Sequence, residues 1–101
     1  MITDFQKRVY ALTKKVPRGK VTSYSAIANK LKSSPRAVGQ ALRVNPFAPV
    51  VPCHRVVKAD GTIGGFSGET CGRAIEKKIA MLRKEGVEVK QNQIEKKFFY
   101  I

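Results

Sequence analysis

Cys53 is followed directly by the only histidine of the chain, His54, and preceded by Pro52. A thiolate, not a thiol, is the sulfur nucleophile, and a free cysteine is mostly protonated at neutral pH. A neighbouring base has to take the proton, and a carboxylate can hold that base in the right tautomer. His54 is the base on offer, acting directly or through one water. Neighbours along a strand point to opposite faces, so a bridging water is the natural solution. The plain alternative keeps Cys53 as a small buried hydrophobe and His54 as a satisfied core or surface histidine. Cys71, near a helix start, has no such neighbour and reads as a packing residue. Two cysteines, no CxxC pair and a single histidine argue against a disulfide scaffold and a zinc site, so no metal is expected.

The charge names a class of partner. Lys and Arg number 20 against 7 Asp and Glu, a formal net charge of +13. Such an excess attracts a polyanion and speeds encounter with it. The basic residues are spread along the chain, which predicts a folded basic surface instead of a disordered arm. Nucleic acid is the expected partner, and a surface that merely keeps the protein in solution is the alternative. Met1–Tyr10 has no apolar signal core, and no apolar run reaches membrane-spanning length. A cytoplasmic protein (nuclear in a eukaryote) with reduced thiols and no membrane partner is expected. The 101 residues, 43% of them apolar, suit one domain with one modest core.

The elements that must position the cysteine follow from caps and periodicity. Thr3 caps a first helix of about Asp4–Lys15, with Phe5, Val9 and Leu12 at helical spacing. Pro17 and Gly19 end it, and Val21–Thr22 form a short extended piece. Ser23 caps a second helix to Lys32, with Tyr24, Ile27, Ala28 and Leu31 as its apolar stripe. After the turn Ser33–Ser34, Pro35 opens a third helix to Val44, with Val38, Ala41 and Leu42 inward. Two short helices across a tight turn, the second carrying Arg36 and Arg43, read as a helix-turn-helix, although many helix pairs in enzymes share that pattern. Pro52 pushes Val51 towards an extended backbone that leads through Cys53–Val57. A last helix spans about Cys71–Lys84, with Ala74, Ile75, Ile79 and Leu82 on one face and Gly86 as its C-terminal cap. Val87–Ile101 reads equally as a short strand or an irregular tail.

Pro52-Cys53-His54-Arg55-Val56 resembles the active-site signature of the O6-alkylguanine-DNA alkyltransferases. Four more blocks are similar to segments of that family, in order and at plausible spacing. Gly19–Tyr24 resembles the lead into its helix-turn-helix, and Pro35–Leu42 its recognition helix. Gly61–Gly68 resembles its active-site loop, and Ile79–Gly86 its closing helix. Together they cover nearly the whole chain.

The resemblance implies an α/β fold, mostly helical, small and winged-helix-like, with a helix-turn-helix and a short strand pair. It implies repair of double-stranded DNA containing O6-alkylguanine by irreversible transfer of the alkyl group to Cys53, once per molecule. His54 would deprotonate Cys53 through a water, and Glu85 would orient His54. Tyr24 would give a hydrogen bond or proton to the departing guanine, and Asn45 would brace the turn carrying the active-site segment. The carbonyls of Cys53 and Val56 and the backbone near Ser67, beside Phe66, would read the extruded base. Arg36 would fill the space it leaves. Ala37, Gly39 and Ala41 would let the recognition helix approach DNA, with Arg43 on the same surface. Arg55 receives a structural or phosphate-binding role and no catalytic one.

No cofactor is implied, and a monomer is expected. The additional N-terminal domain of many members is expected to be lacking, with 1–101 read as the alkyltransferase domain alone. Phe66 stands where several members have tyrosine, and Glu69 where a small residue is common, which puts substrate range in question. Two other readings remain. Alkyltransferase-like proteins bind the same damage and recruit repair factors without transfer, but they replace the acceptor cysteine. A winged-helix transcription regulator, with Cys53 there by chance or for redox sensing, would prefer one duplex sequence and ignore lesions.

Overall fold

The computed structural model describes residues 2–47, 50–63 and 73–100 of the chain. Each early helix begins where a hydroxyl can cap it. Thr3 and Gln6 form a reciprocal capping box at the start of α1 (Asp4–Lys14): the Thr3 amide donates to Gln6 Oε1 at 2.9 Å, and the Gln6 amide to Thr3 Oγ1 at 3.1 Å. Ser23 accepts from the Ala26 amide at the head of α2 (Tyr24–Leu31), and Ser34 from the Ala37 amide at the head of α3 (Pro35–Arg43). Between α2 and α3, Lys32 adopts a left-handed conformation at φ 54° and stops the second helix. The last helix, α4 (Arg73–Lys84), ends at Gly86, whose φ of +93° suits glycine. The Val87 amide then returns to the Leu82 carbonyl at 3.0 Å, closing the turn.

Two strands of two residues, β1 (Thr22–Ser23) and β2 (Val56–Val57), pair in parallel with Thr22 opposite Val56 and Ser23 opposite Val57. The pair is therefore a clasp between the start of α2 and the chain just after Cys53, with α2 and α3 as the crossover. It also divides the core. Val56 packs with Val9, Tyr10, Ile27, Ala28, Val38, Ala41, Leu42 and Val51 under the first three helices. Val57, on the opposite face as a period of two requires, packs with Val21, Ile63, Leu82, Val87, Val89 and Ile94.

The segment after Gly86 is an irregular tail tied down by main-chain bonds, ending in a 3-10 turn at Lys96–Phe98. The Ile94 amide donates to the Gly61 carbonyl and the Ile63 amide to the Asn92 carbonyl, while Val21 bridges Phe99. Gly61, at φ +90°, is pinned there: a Cβ would lie 2.6 Å from the Ile94 carbonyl oxygen.

Two expectations are corrected. Cys53–Arg55 is a 3-10 turn, not extended chain, because the Cys53 amide folds back to the Val51 carbonyl and the Arg55 amide to that of Pro52. Ala41 is not free to approach DNA, since with Val38 and Leu42 it forms the buried stripe of α3. One long-range bond fixes α3 against α1: the buried Tyr10 hydroxyl donates at 2.7 Å to the Ala41 carbonyl, one of the acceptors a helix leaves unfilled in its last turn. Tyr10→Phe should therefore cost about 1–2 kcal/mol. A lower denaturant midpoint at unchanged m-value is the readout, and an unchanged midpoint contradicts it.

Candidate active site and nucleic-acid interface

Cys53 opens the 3-10 turn and is half-buried, packed against the core under the first three helices. The preceding loop is braced by Asn45. Its Nδ2 donates to the Val51 carbonyl at 3.0 Å, and its Oδ1 accepts from the Phe47 amide at 2.9 Å. One side chain thus closes the loop on both sides, two residues before the cysteine. Tyr24 reaches the same place from α2, because Ser23 is at once the end of β1 and the cap of that helix.

His54 is buried, and its Nε2 lies 3.0 Å from Glu85 Oε2, just past the end of α4. Burial would raise the Glu85 carboxyl, but hydrogen bonds from Arg55 and then His54 outweigh it and pull the value down to about 2. Glu85 is therefore an ionised acceptor at neutral pH, so His54 Nε2 must carry the proton and donate it. The pKa of His54 is lowered, first by burial and then by the positive charges of Arg55 and Lys78, against the raising effect of Glu85. A neutral ring with Nε2 protonated keeps its lone pair on Nδ1, the form a general base needs.

Arg55 does more than the sequence reading assigned it. Its Nε donates to Glu85 Oε1 and its Nη2 to Glu85 Oε2, both at 2.9 Å, and its Nη1 reaches the Val16 carbonyl at 2.9 Å. This bidentate grip fixes the plane of the carboxylate that faces His54. Adjacency in a Cys-His-Arg run does not reveal it, because a 3-10 turn, unlike a strand, lets His54 and Arg55 converge on one partner.

Lys78 is a second residue the sequence reading missed. It is fully buried, and its ammonium donates to the carbonyls of Val56 (2.8 Å) and Ile63 (2.7 Å). The signal was present: Lys78 falls between Ile75, Ile79 and Leu82 on the inward face of α4, where a lysine is out of place. The Val56 carbonyl, expected to meet a base, thus already accepts one bond and keeps a second lone pair. Phe66 and Ser67, the other expected pocket residues, lie outside the described residues, as do Glu69 and Cys71. Among the described residues no group of three metal-ligating side chains forms.

On the other side of Tyr24 stands α3. Arg36 in its first turn and Arg43 in its last are exposed, and Ala37 and Gly39 are half-buried. A Cβ on Gly39 would lie 4.0 Å from Tyr24 Cδ1, so the missing side chain lets α3 lie close over the phenol ring. Tyr24 thus lies under Gly39 of α3 and packs against the same core cluster as Cys53. No described helix is long and apolar enough to cross a membrane.

Residues 4–87 match the family model described as 6-O-methylguanine DNA methyltransferase, DNA binding domain. The chain is similar to a methylated-DNA–protein-cysteine methyltransferase of Thermococcus kodakarensis, 50% identical over 88 residues, which are 86% of this chain and 47% of that protein. Among solved structures it is similar to S. pombe Atl1 in complex with damaged DNA containing O6-carboxymethylguanine. That likeness has a TM-score of 0.83 and 29% identity, and covers 100% of this chain and 99% of the other. It is also similar to Mycobacterium tuberculosis OGT in complex with DNA, with a TM-score of 0.74 and 40% identity over 85% of this chain and 51% of that one. The chain spans about half the length of the curated relatives it matches.

Proposed function

The chain belongs to the family of 6-O-methylguanine DNA methyltransferase DNA-binding domains, and from that membership we propose that it repairs DNA by taking the alkyl group of O6-alkylguanine onto Cys53. The observation that carries this reading is the contact of His54 with Glu85, gripped by Arg55, directly beside Cys53 in the chain. His54, neutral and with Nδ1 free of a proton, removes the thiol proton through a water. The sulfur attacks the alkyl carbon, the S–C bond forms, and the C–O6 bond breaks with its electron pair going to guanine. Tyr24 hydrogen-bonds or protonates the departing base. Burial, and then the charge of Cys53, push its hydroxyl up to about 12, so it keeps its proton until that moment. A thioether is stable, so each molecule acts once.

A base inside the duplex is out of reach of a half-buried sulfur, so the nucleotide has to turn out, at a cost on the order of a few kcal/mol. Arg36, exposed at the head of α3, stacks in the vacated space and offsets part of that cost. Ala37, Gly39 and Arg43 line the approach to the backbone, and Val56 and Cys53 with Phe66 and Ser67 line the pocket. Lesions arise in any sequence, so phosphate contacts by a chain of charge +13 should dominate over base reading. The protein works as a monomer wherever the DNA is, in the cytoplasm of a prokaryote or the nucleus of a eukaryote.

The test is a mass measurement. Protein mixed with a duplex containing O6-methylguanine should gain one methyl group on the peptide that holds Cys53, and uptake should stop at one equivalent. An unmodified peptide at equal concentrations would overturn the reading. The likeness to Atl1 along the full length of both chains favours a second reading, lesion binding without transfer. It predicts tight binding to the same duplex and no change in mass.

A further inference from the structure

The repair reading places Arg36 and Arg43 of α3 on DNA, out of 20 lysines and arginines in the chain. A second basic surface lies on the other side of α2. There α1, α2 and the C-terminal tail enclose an open groove, floored by Val16 and Ile27 and rimmed by Lys15, Lys30, Thr22 and Tyr100. Both lysines are exposed, and among the described residues neither forms an ion pair. None of the described residues lining the groove is acidic. Tyr100 is 42% exposed, one of the large apolar residues that the fold leaves in water. It is not a loose end. Its amide donates to the Val21 carbonyl at 2.6 Å, and the Val21 amide donates to the Phe98 carbonyl at 2.9 Å, which ties the tail down next to Thr22.

We propose that this groove is a second nucleic-acid surface, which takes the sugar-phosphate backbone of a second DNA segment while α3 holds the first. The inference goes beyond the repair reading, since it concerns undamaged DNA and needs no alkyl transfer.

The lining fits that occupant. Two ammonium groups without an ion-pair partner in the fold bind phosphates as point charges. The apolar floor fits the deoxyribose between them, and the Tyr100 hydroxyl can donate to a phosphate oxygen. Such contacts carry no sequence information, so the groove accepts any segment. Its placement separates it from α3. At 3.6 residues per turn, Ala26 and Lys30 of the groove stand roughly 160° and 120° around α2 from Tyr24. Tyr24 lies under Gly39 of α3, so the groove faces away from the helix that carries Arg36 and Arg43. A straight duplex along α3 therefore leaves the groove open to another segment. One chain can then hold two segments at once and pass between them without release, which shortens the search for a rare lesion. The net charge of +13 supplies the attraction for both.

Analytical ultracentrifugation with an excess of a short undamaged duplex, at near-physiological salt, tests this. One parent chain should carry two duplexes. The double variant Lys15→Glu with Lys30→Glu should weaken the second binding step by about tenfold or more and carry one duplex under the same conditions. Lys77→Glu with Lys90→Glu removes the same charge at exposed positions outside the groove and should keep both. All four substitutions are at exposed residues, so the helical circular dichroism of the parent should persist. A parent that never exceeds one duplex per chain overturns the proposal, and this result needs no variant. Equal losses in the two double variants overturn it too, because net charge alone would then explain the second duplex. A second duplex retained by both variants overturns it by placing that site elsewhere. Methyl uptake at Cys53 is measured separately on lesion-containing duplex and should still reach one equivalent in the groove variant, so failure here is distinguishable from failure of the repair reading.

Discussion

Cys53→Ser will take up no methyl group from duplex containing O6-methylguanine, at any excess of DNA, while still binding that duplex. The hydroxyl occupies the same half-buried position on the 3-10 turn. It lacks the acidity to yield an anion with only a neutral, desolvated imidazole as base. On the proposed function, duplex affinity comes from α3 and the net charge of +13, and the substitution touches neither. We expect affinity within about threefold of the parent, under 1 kcal/mol. Peptide mass spectrometry and fluorescence anisotropy on the same samples give both numbers. Methylation of the variant at another residue would place the acceptor elsewhere and sink the mechanism. The parent and the variant behaving alike, both binding and neither methylated, would select the lesion-binding reading.

Glu85→Gln should lower the transfer rate by about 10²-fold and destabilise the protein by about 2–3 kcal/mol. The two effects share one cause. Glutamine can still accept from His54 Nε2, but it cannot stabilise the imidazolium that forms when the thiol proton is taken. It also leaves the half-buried Arg55 guanidinium without a counter-charge. The pH dependence distinguishes this from general damage. The Glu85 carboxyl titrates at about 2 in the folded protein against an ordinary 4.5, so folding binds fewer protons there. Its contribution is complete above about pH 4.5 and fades as the pH falls towards about 2. The stability gap between parent and variant should be constant from about pH 5 to 7 and close over that acid range. A gap that stays open at low pH would mean that the Glu85 charge is not what the fold uses.

The helical scaffold is legible in the sequence because its boundary signals are local. Thr3, Ser23 and Ser34 mark helix starts by what a hydroxyl does to the next free amides, and Gly86 marks an end by the one backbone conformation it favours. The cysteine and histidine are legible as chemistry, since few side chains can act as nucleophile and base. The 3-10 turn is not legible, because Pro52 constrains the residue before it and says little about the three after it. The grip of Arg55 on Glu85 joins residues 30 positions apart, and no periodicity encodes that. Lys78 was visible as an anomaly, a charge on the apolar face of α4, but its meaning needed the carbonyls of two other segments. The tail after Gly86 carries no signal either way, since its order comes from main-chain bonds to Val21, Gly61 and Ile63.

The two-residue clasp between Thr22–Ser23 and Val56–Val57 acts as a ruler. Ser23 is joined covalently to Tyr24, and Val56 lies one short turn from Cys53, so main-chain geometry sets the separation of the two backbone segments from which phenol and thiol project. Changing that backbone separation would unpair the strands, whereas the side chains still turn about their own bonds. On the proposed function, room for a bulkier adduct then has to come from the side chains and not from the spacing of these two segments.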